Sequence, residues 1–351
     1  DPMRRQGPFV GGESVGFHWY NANKAGVTID LESPASQAEI RAALGTFDLL
    51  IDGNRPGWLA AHGLEPASLR AQYPELVIVS VSEFGQWGPY RDWEGSSLVA
   101  WALAGSLIRC GLPDAAPVSP PYQMSYALAG ITAASAAVLA LWERNRTGKG
   151  DWLDCSVLEA VQAQADWTVP GYGATGMSVK RAGAGALYPL FRAADGWVRM
   201  VNLSPRQWRS LRAWLGNPPE IAAPEWDNPL YRGANRAVLD ALCEAKCAGR
   251  EKAELAADGQ SNGVGIVPVY PPMDLMEDDE HFRERGTFVS FPIPGAARLR
   301  APGSFVRMDC ARPESPKPAP VLGAADGCVL PGGEGFALSA EPGAELLEVR
   351  L

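Results

Sequence analysis

The chain has 351 residues, of which 46% are hydrophobic and 20% are charged, and its formal net charge is −9. This length and composition allow a large buried core in one large or two ordinary domains, and they exclude a disordered chain. The negative charge argues against nucleic acid or an anionic membrane as a partner.

Cysteine and histidine usage limits the chemistry further. Six cysteines are too few for a disulfide scaffold, and the chain has only three histidines. Cys243 and Cys247 are one helical turn apart, but no histidine lies near them in sequence. We therefore predict no metal site and a reduced, cytoplasmic protein.

The first elements in chain order alternate between strand and helix. Alternating β-branched residues predict a strand over Lys24–Leu31, and apolar runs predict buried strands at Phe47–Asp52 and Leu76–Ser82. Ser33-Pro34 predicts the start of a helix to about Leu44, and Ala67–Tyr73 is also predicted to be helical. This order is typical of a parallel α/β sheet with crossover helices.

An uncharged stretch, Tyr122–Trp142, follows and is long enough to span a bilayer. Its many Ala, Gly, Ser and Thr residues make it only weakly hydrophobic, which favours a buried, closely packed helix over a membrane span. We expect this helix to end near Thr147, with Gly148 as the residue that follows it.

The next stretch predicts the end of the larger domain. Trp152–Cys155 is a candidate strand, and Val157–Trp167 is predicted to be helical. These elements complete a large domain over residues 1–170, and a Gly-rich linker is predicted over residues 171–186.

A smaller domain is predicted over residues 187–300. Asp195-Gly196 predicts a hairpin turn, Ser204-Pro205 predicts the start of a helix that ends at Gly216, and Arg236–Cys247 predicts another helix. Residues 301–351 are predicted to be a tail, since four prolines within Ala311–Pro320 favour an extended segment.

Short motifs occur in a fixed order along the chain. They are Asp1-Pro2-Met3-Arg4-Arg5, Asn21-Ala22-Asn23-Lys24, Arg55-Pro56-Gly57, Phe84-Gly85-Gln86 with Gly88-Pro89-Tyr90, Thr147-Gly148-Lys149-Gly150 and Pro320-Val321-Leu322-Gly323. In this order they resemble the class III CoA-transferases, the superfamily of formyl-CoA transferase, carnitine CoA-transferase and α-methylacyl-CoA racemase.

The resemblance implies a particular α/β architecture. A Rossmann-like large domain with a parallel sheet is joined to a smaller α+β domain, two subunits interlock as a dimer, and the tail returns to the large domain. Members of the family also carry a β-α-β unit before the Asp1–Arg5 motif, and we expect this chain to lack it. That unit supplies part of the sheet and of the CoA pocket, so we expect both to be incomplete.

The resemblance also locates the reactive position. The family's catalytic Asp lies four residues before Gly130 and 21 before Thr147, and Tyr126 occupies that place. The Asp carboxylate attacks an acyl-CoA thioester to give a mixed anhydride and CoA thiolate. An unperturbed tyrosine, with a pKa near ~10, is only about 0.1% phenolate at pH 7, so we expect Tyr126 to fill or cap the site. Tyr122–Trp142 contains no Asp or Glu as a substitute.

The racemases of the superfamily use a Gly-His-Asp sequence that reads Gly95-Ser96-Ser97 in this chain. Serine hydroxyls do not act as bases near neutral pH without an adjacent base. We therefore expect Ser96 and Ser97 to begin a helix over residues 97–107 as capping residues.

The resemblance implies a site for coenzyme A or acyl-CoA as a ligand, with no permanently bound cofactor. The loop Gly53-Asn54-Arg55 packs on the nucleotide in the family, and Ala61 replaces an Arg that pairs with phosphate. Arg55 is either a phosphate contact or a solvated loop charge, and Trp58 offers a stacking face. Ser82 and Ser96 lie where relatives contact CoA.

Three functions are compatible with this sequence. The first is an active acyl-CoA transferase, lyase or isomerase with a relocated catalytic group. The second, which we favour, is a degenerate subunit that forms a homodimer or a heteromer with a competent paralogue. The third is a protein that binds acyl-CoA or another small ligand. The sequence alone does not name an acyl group or an acceptor.

Overall fold

The computed structural model describes residues 2–164, 168–177, 181, 189–277, 279–294, 299–303, 316–320 and 346–347. The chain forms two compact units. The larger comprises residues 1–108, 118–179 and 284–351, and the smaller comprises residues 109–117 and 180–283.

The described strands are β1 (Phe9–Val10), β2 (Glu13–Ser14), β3 (Val27–Thr28), β4 (Leu49–Asp52), β5 (Val77–Ser82), β6 (Trp152–Ser156), β7 (Leu190–Ala193), β8 (Gly196–Val201), β9 (Gly265–Pro268), β10 (Phe288–Phe291), β11 (Leu299–Pro302) and β12 (Leu346–Leu347). The described α-helices are α1 (Val15–Tyr20), α2 (Pro34–Ala43), α3 (Trp58–Ala61), α4 (Pro66–Gln72), α5 (Ser97–Leu103), α6 (Met124–Thr147), α7 (Val157–Gln164), α8 (Thr168–Thr175), α9 (Pro205–Trp214), α10 (Pro229–Ala234), α11 (Arg236–Cys247), α12 (Lys252–Ser261), α13 (Pro272–Glu277) and α14 (Glu280–Glu284).

A parallel sheet of order β4-β5-β6 is the centre of the larger unit. The central strand β5 pairs in parallel with both neighbours, with Ile78 opposite Leu50 on one side and Trp152 on the other. Val77, Ile78 and Val79 are almost fully buried, as expected for a parallel strand covered on both faces. The predicted parallel sheet with crossover helices is confirmed.

The strand predicted at Lys24–Leu31 forms only in part. Strand β3 is two residues long and pairs antiparallel with β12, not with the parallel sheet. Ile29 and Leu31 are nevertheless buried, because they pack in a core cluster beside the sheet. The alternation of apolar residues thus reflects side-chain burial and not a continuous strand.

Helix α6 packs one face on the parallel sheet. Ala133 and Ala137, four residues apart, lie in a core cluster with Val77 and Val79 of β5. The helix ends as predicted, since Gly148 adopts a left-handed conformation and donates its N–H to the carbonyl of Arg144 at 2.7 Å.

The opposite face of α6 is exposed and apolar. Ile131, Val138, Leu139 and Trp142 are each more than half exposed. Among the described residues, α6 is the helix whose length and composition would allow it to cross a membrane, and only 22% of its most apolar window is buried. The prediction of a buried helix therefore holds for one face only.

The smaller unit contains a three-stranded antiparallel sheet of order β7-β8-β9. The predicted hairpin is confirmed, with Ala193 paired to Gly196 across the turn. The predicted start of α9 is also confirmed, because Ser204 and Gln207 form a reciprocal capping box. Helix α11 spans Arg236–Cys247, as predicted.

Cys243 and Cys247 lie on the buried face of α11, within the core cluster of the smaller unit. Burial raises the pKa of the Cys243 thiol to about 12 and that of the Cys247 thiol to about 11. At neutral pH both thiols are therefore protonated apolar core groups.

The limits of the two units differ from the predicted domain limits. Residues 284–300 fall in the larger unit, because the hairpin β10–β11 packs its apolar face on Val15 and Ala22. Residues 109–117 fall in the smaller unit, where Arg181 donates hydrogen bonds to the carbonyls of Leu112 and Ala115. The predicted linker begins inside α8, which is helical up to Thr175.

The described part of the tail contacts the larger unit. In residues 316–320, the Lys317 N–H donates to the Asn23 side chain at 2.8 Å, and the Pro320 carbonyl accepts from Arg4 at 2.8 Å. No helix or strand forms over these five residues, in agreement with an extended segment. Residues 311–315 of the same prediction lie outside the described residues.

We predict that Gly150→Ala destabilises the larger unit by about 1–3 kcal/mol, because a Cβ at this position overlaps the backbone carbonyl of Leu76. Urea denaturation of the variant and the parent chain measures this difference. Gly130→Ala is the matched control, since no atom outside the local helix backbone lies within 4 Å of its added Cβ, and its stability should be unchanged or higher by about 1 kcal/mol. Equal stability of the Gly150→Ala variant and the parent would contradict the close approach.

Candidate functional site

A cavity of about 570 Å³ opens in the larger unit at the carboxyl end of the parallel sheet. Ligands bind at this edge of open parallel sheets, where the loops that follow the strands converge. The wall is built from the segments after β4 and β5 and from α6 and α7. Its residues are Gly53, Asn54, Arg55, Pro56, Val81, Ser82, Glu83, Arg91, Asp92, Trp93, Glu94, Gly95, Tyr126 and Val157.

The wall divides by exposure into a rim and a floor. The rim is exposed and carries the charged residues Arg55, Arg91, Asp92 and Glu94, together with Trp93. The floor is buried or half-buried and consists of Val81, Ser82, Glu83, Gly95, Tyr126 and Val157, and the remaining wall is the loop of Gly53, Asn54 and Pro56 after β4. With every carboxyl group ionised, three carboxylates face two guanidinium groups around the cavity.

The floor is dominated by a hydrogen bond between a phenol and a carboxylate. The Tyr126 hydroxyl donates to Glu83 Oε1 at 2.6 Å. Burial, together with the hydrogen bond and the negative charge of Glu83, raises the pKa of the Tyr126 phenol well above its ordinary value. Tyr126 is therefore a neutral hydrogen-bond donor at neutral pH.

Glu83 is held on several sides. Its backbone carbonyl accepts the N–H of Leu158 in α7 at 3.0 Å. Its side chain lies against Gly95, where an added Cβ would be only 2.6 Å from Glu83 Cγ. Its Oε2 atom is buried and accepts no hydrogen bond from the described residues. The carboxylate is thus held with one oxygen accepting a hydrogen bond and the other without a donor among the described residues.

The loop after β4 is ordered by Asp52, a buried residue at the end of that strand. Asp52 Oδ1 accepts from the backbone N–H and the side-chain amide of Asn54, at 3.0 and 2.8 Å. Burial raises the pKa of Asp52, and the two hydrogen bonds from Asn54 oppose that rise. This turn presents Asn54 and Arg55 to the cavity.

A profile of CoA-transferase family III matches residues 1–326. The chain belongs to CoA-transferase family III.

Two relatives illustrate the range of the family. Over 92% of its length, the chain is 31% identical to the probable CoA-transferase Rv1866 of Mycobacterium tuberculosis, and it spans 41% of that protein. Over 80% of its length, it is also 31% identical to the subunit BbsE of succinyl-CoA:(R)-benzylsuccinate CoA-transferase from Thauera aromatica, and it spans 72% of that subunit.

The solved structures agree with this assignment. The crystal structure of a CAIB/BAIF family protein from Brucella suis superposes with a TM-score of 0.77 at 26% identity, covering 92% of this chain and 86% of that one. The α/β fold of the family III transferases is therefore the fold of this chain.

The family resemblance named six positions for CoA, and the structure brings four of them together. Gly53, Asn54, Arg55 and Ser82 line the cavity. Trp58 lies outside the wall and packs against His62 in a tilted arrangement, with 4.1 Å between ring centroids. Since its other contacts are with a core cluster, its ring is engaged within the fold.

The sixth position, Ser96, is the predicted cap of a helix. Its side chain accepts from the N–H of Val99 at the start of α5, at 3.4 Å. Ser97 is buried in the first turn, and its hydroxyl has no hydrogen-bond partner among the described residues. The helix ends at Leu103, earlier than the predicted residue 107.

Sequence reasoning missed Glu83 and Arg91. Glu83 directly follows the last residue of β5, and the carboxyl-edge rule for parallel sheets would have placed it in the site. Arg91 follows a longer loop, and only the folded chain shows that it meets the loop of Arg55. An added Cβ at Gly57, next to that loop, would be 3.3 Å from Arg91 Nη2.

The described residues of this site do not form a cluster of side chains that could bind a metal ion. Across the described part of the chain, no group of three or more His, Cys, Asp or Glu side chains is arranged to hold a metal ion.

We predict that Tyr126→Phe destabilises the chain by about 1–3 kcal/mol at pH 7, because it removes the donor from a carboxylate held in the wall. Tyr122→Phe is the matched control: its side chain is 96% exposed, so the change should be within about 0.5 kcal/mol of zero. Urea denaturation of both variants measures the two changes, and equal effects would contradict the pairing.

The cost of Tyr126→Phe should also depend on pH. Because the folded chain raises the pKa of Tyr126, its stabilising contribution is complete below pH ~10, where an unfolded tyrosine ionises, and is lost as the pH rises further. The stability difference between parent and Tyr126→Phe should therefore shrink above pH ~10. A difference that grew in that range would have the opposite sign and would contradict the raised pKa.

Proposed function

We propose that this chain is a family III unit that binds a CoA compound but forms no acyl-enzyme, and that it works as the partner of a competent paralogous unit. The observation that carries this proposal is the hydrogen bond from Tyr126 to Glu83. The neutral phenol of Tyr126 thus lies at the position where the family resemblance places a nucleophilic carboxylate.

The chemistry of that position supports the proposal. Acyl transfer through an anhydride needs an anionic carboxylate that attacks the thioester carbon while the thiolate leaves. A phenol whose pKa is raised, and whose proton is shared with a carboxylate, is a poor nucleophile at neutral pH. Ser96 and Ser97 supply no replacement base, since one caps a helix and the other is buried.

The relatives support a partner. The Thauera relative is named as one subunit of its transferase, and the chain spans only 41% of the Mycobacterium relative. Both facts fit a unit that functions beside another one, either as a separate subunit or within a longer chain. We propose the interlocked arrangement implied by the family resemblance for this assembly.

The cavity supports a CoA compound as the ligand. Arg55 and Arg91 at the rim offer guanidinium groups for phosphate, with Trp93 beside them. No permanently bound cofactor is part of the proposal. A cytoplasmic location is part of it, because Cys155, Cys243 and Cys247 are free thiols.

An active transferase with a relocated nucleophile is the second candidate, and Glu83 favours it. This carboxylate lies in the same cavity, in contact with Tyr126. In that case Glu83 would form the anhydride as the C–S bond of the thioester breaks. Its buried Oε2 and its hydrogen-bonded Oε1 both count against attack without rearrangement.

Trapping with hydroxylamine separates the two candidates. The purified chain is incubated with radiolabelled acetyl-CoA, quenched, separated from unreacted and bound acetyl-CoA, and then treated with hydroxylamine, which cleaves acyl anhydrides. We expect no hydroxamate from the parent chain or from Glu83→Gln. A family member that keeps the catalytic Asp serves as the positive control. Hydroxamate from the parent that disappears in Glu83→Gln would contradict the proposal and favour the second candidate.

A further inference from the structure

The floor of the cavity carries a fixed negative charge. Glu83 cannot swing away from Gly95 and Tyr126 without losing the 2.6 Å hydrogen bond, and its backbone is tied to α7. The negative charge of Glu83 contributes to the raised pKa of the Tyr126 phenol. Any ligand group that reaches the floor therefore meets an immobile carboxylate.

The remaining charges do not neutralise the floor carboxylate. Arg55 and Arg91 lie at the exposed rim, together with Asp92 and Glu94. Arg91 also approaches Asp92, at 3.9 Å. The floor residues other than Glu83 are Val81, Ser82, Gly95, Tyr126 and Val157, and none of them is cationic. The cavity can therefore accept an anion at its rim but repels one at its floor.

The floor is also filled. Tyr126 packs against the core cluster of Ala129, Val157 and Val161, and its hydroxyl is fixed by Glu83. A tyrosine ring occupies more volume than a carboxymethyl group, so the floor leaves less space for a ligand than an Asp at this position would leave. The size of Tyr126 and the charge of Glu83 thus both disfavour a bulky or anionic ligand group at the floor.

We infer that Glu83 sets the ligand choice of this cavity: it excludes CoA thioesters whose acyl chain ends in a carboxylate and admits free CoA or a short neutral thioester. This inference rests on the proposed function, which places the acyl end of a CoA ligand beside Tyr126. Exclusion by like charge is an effective way to achieve specificity, because an unpaired anion pressed against a fixed carboxylate has no compensating partner. The donor named in the Thauera relative, succinyl-CoA, belongs to the excluded class.

Calorimetric titration of the full chain with CoA, acetyl-CoA and succinyl-CoA tests this inference. The parent should bind CoA and acetyl-CoA at least about tenfold more tightly than succinyl-CoA, the effect of a single like-charge contact in a partly solvated site. Glu83→Gln removes the charge at nearly constant volume and should reduce that ratio to about threefold or less. Glu39→Gln is the matched control: it makes the same chemical change at an exposed residue outside the cavity wall and should keep the discrimination.

Two outcomes overturn the inference. One is a parent chain that binds succinyl-CoA as tightly as acetyl-CoA, which needs no variant and so does not depend on the folding of Glu83→Gln. The other is a parent that binds none of the three compounds. Intact-protein mass spectrometry of the same samples distinguishes failure of this inference from failure of the proposed function. An acetyl or succinyl adduct on the chain would overturn the proposed function. Equal binding of the thioesters without an adduct would overturn only the role of Glu83.

Discussion

The parallel pairing of β5 with β4 and β6 determines where every residue of the cavity floor lies. Because β5 is buried between its neighbours and beneath α6, its carboxyl end can deliver Ser82 and Glu83 to only one edge of the sheet. Tyr126, near the start of α6, reaches the same edge. The Tyr126–Glu83 hydrogen bond is therefore a consequence of the sheet and not of a flexible loop.

That pair determines the chemistry of the cavity floor. Anhydride chemistry needs a free carboxylate, whereas this floor has a carboxylate engaged by a phenol and packed against Gly95. The rim carries groups that suit a phosphorylated ligand, including Arg55. This combination of rim and floor is the basis on which we propose a unit that binds a ligand while a partner carries out the reaction.

The sequence predicted the sheet, α6 and the helix caps because these depend on local patterns. The buried run of β5, the glycine after α6 and the Ser204 capping box all carry such patterns. The predicted strand at Lys24–Leu31 is longer than the observed one. An alternating pattern of apolar residues shows which side chains are buried, but it does not show whether a neighbouring strand is present. Trp58 illustrates a different limit. Its motif position suggested a ligand contact, whereas the direction in which its ring packs, here beside His62, depends on the folded chain.

The family resemblance named Tyr126 as a site position from the sequence, and in the structure Tyr126 lines the cavity. Glu83 was not named in this way, since no motif position marked it, and its partner lies 43 residues away in the sequence. This contact forms because the end of β5 lies beside the start of α6, and neither element has a local sequence pattern that indicates it. The charge of the floor therefore became visible only once the sheet and α6 were assembled.

The most direct test of the central claim is to locate the acyl group during turnover of an assembled complex. The chain is mixed with a paralogue that keeps the catalytic Asp, supplied with a CoA thioester and an acceptor acid, quenched, and mapped by peptide mass spectrometry. The account predicts an acyl adduct on the Asp of the paralogue and none on this chain. An acyl group on Glu83, or on any other carboxylate of this chain, would contradict it.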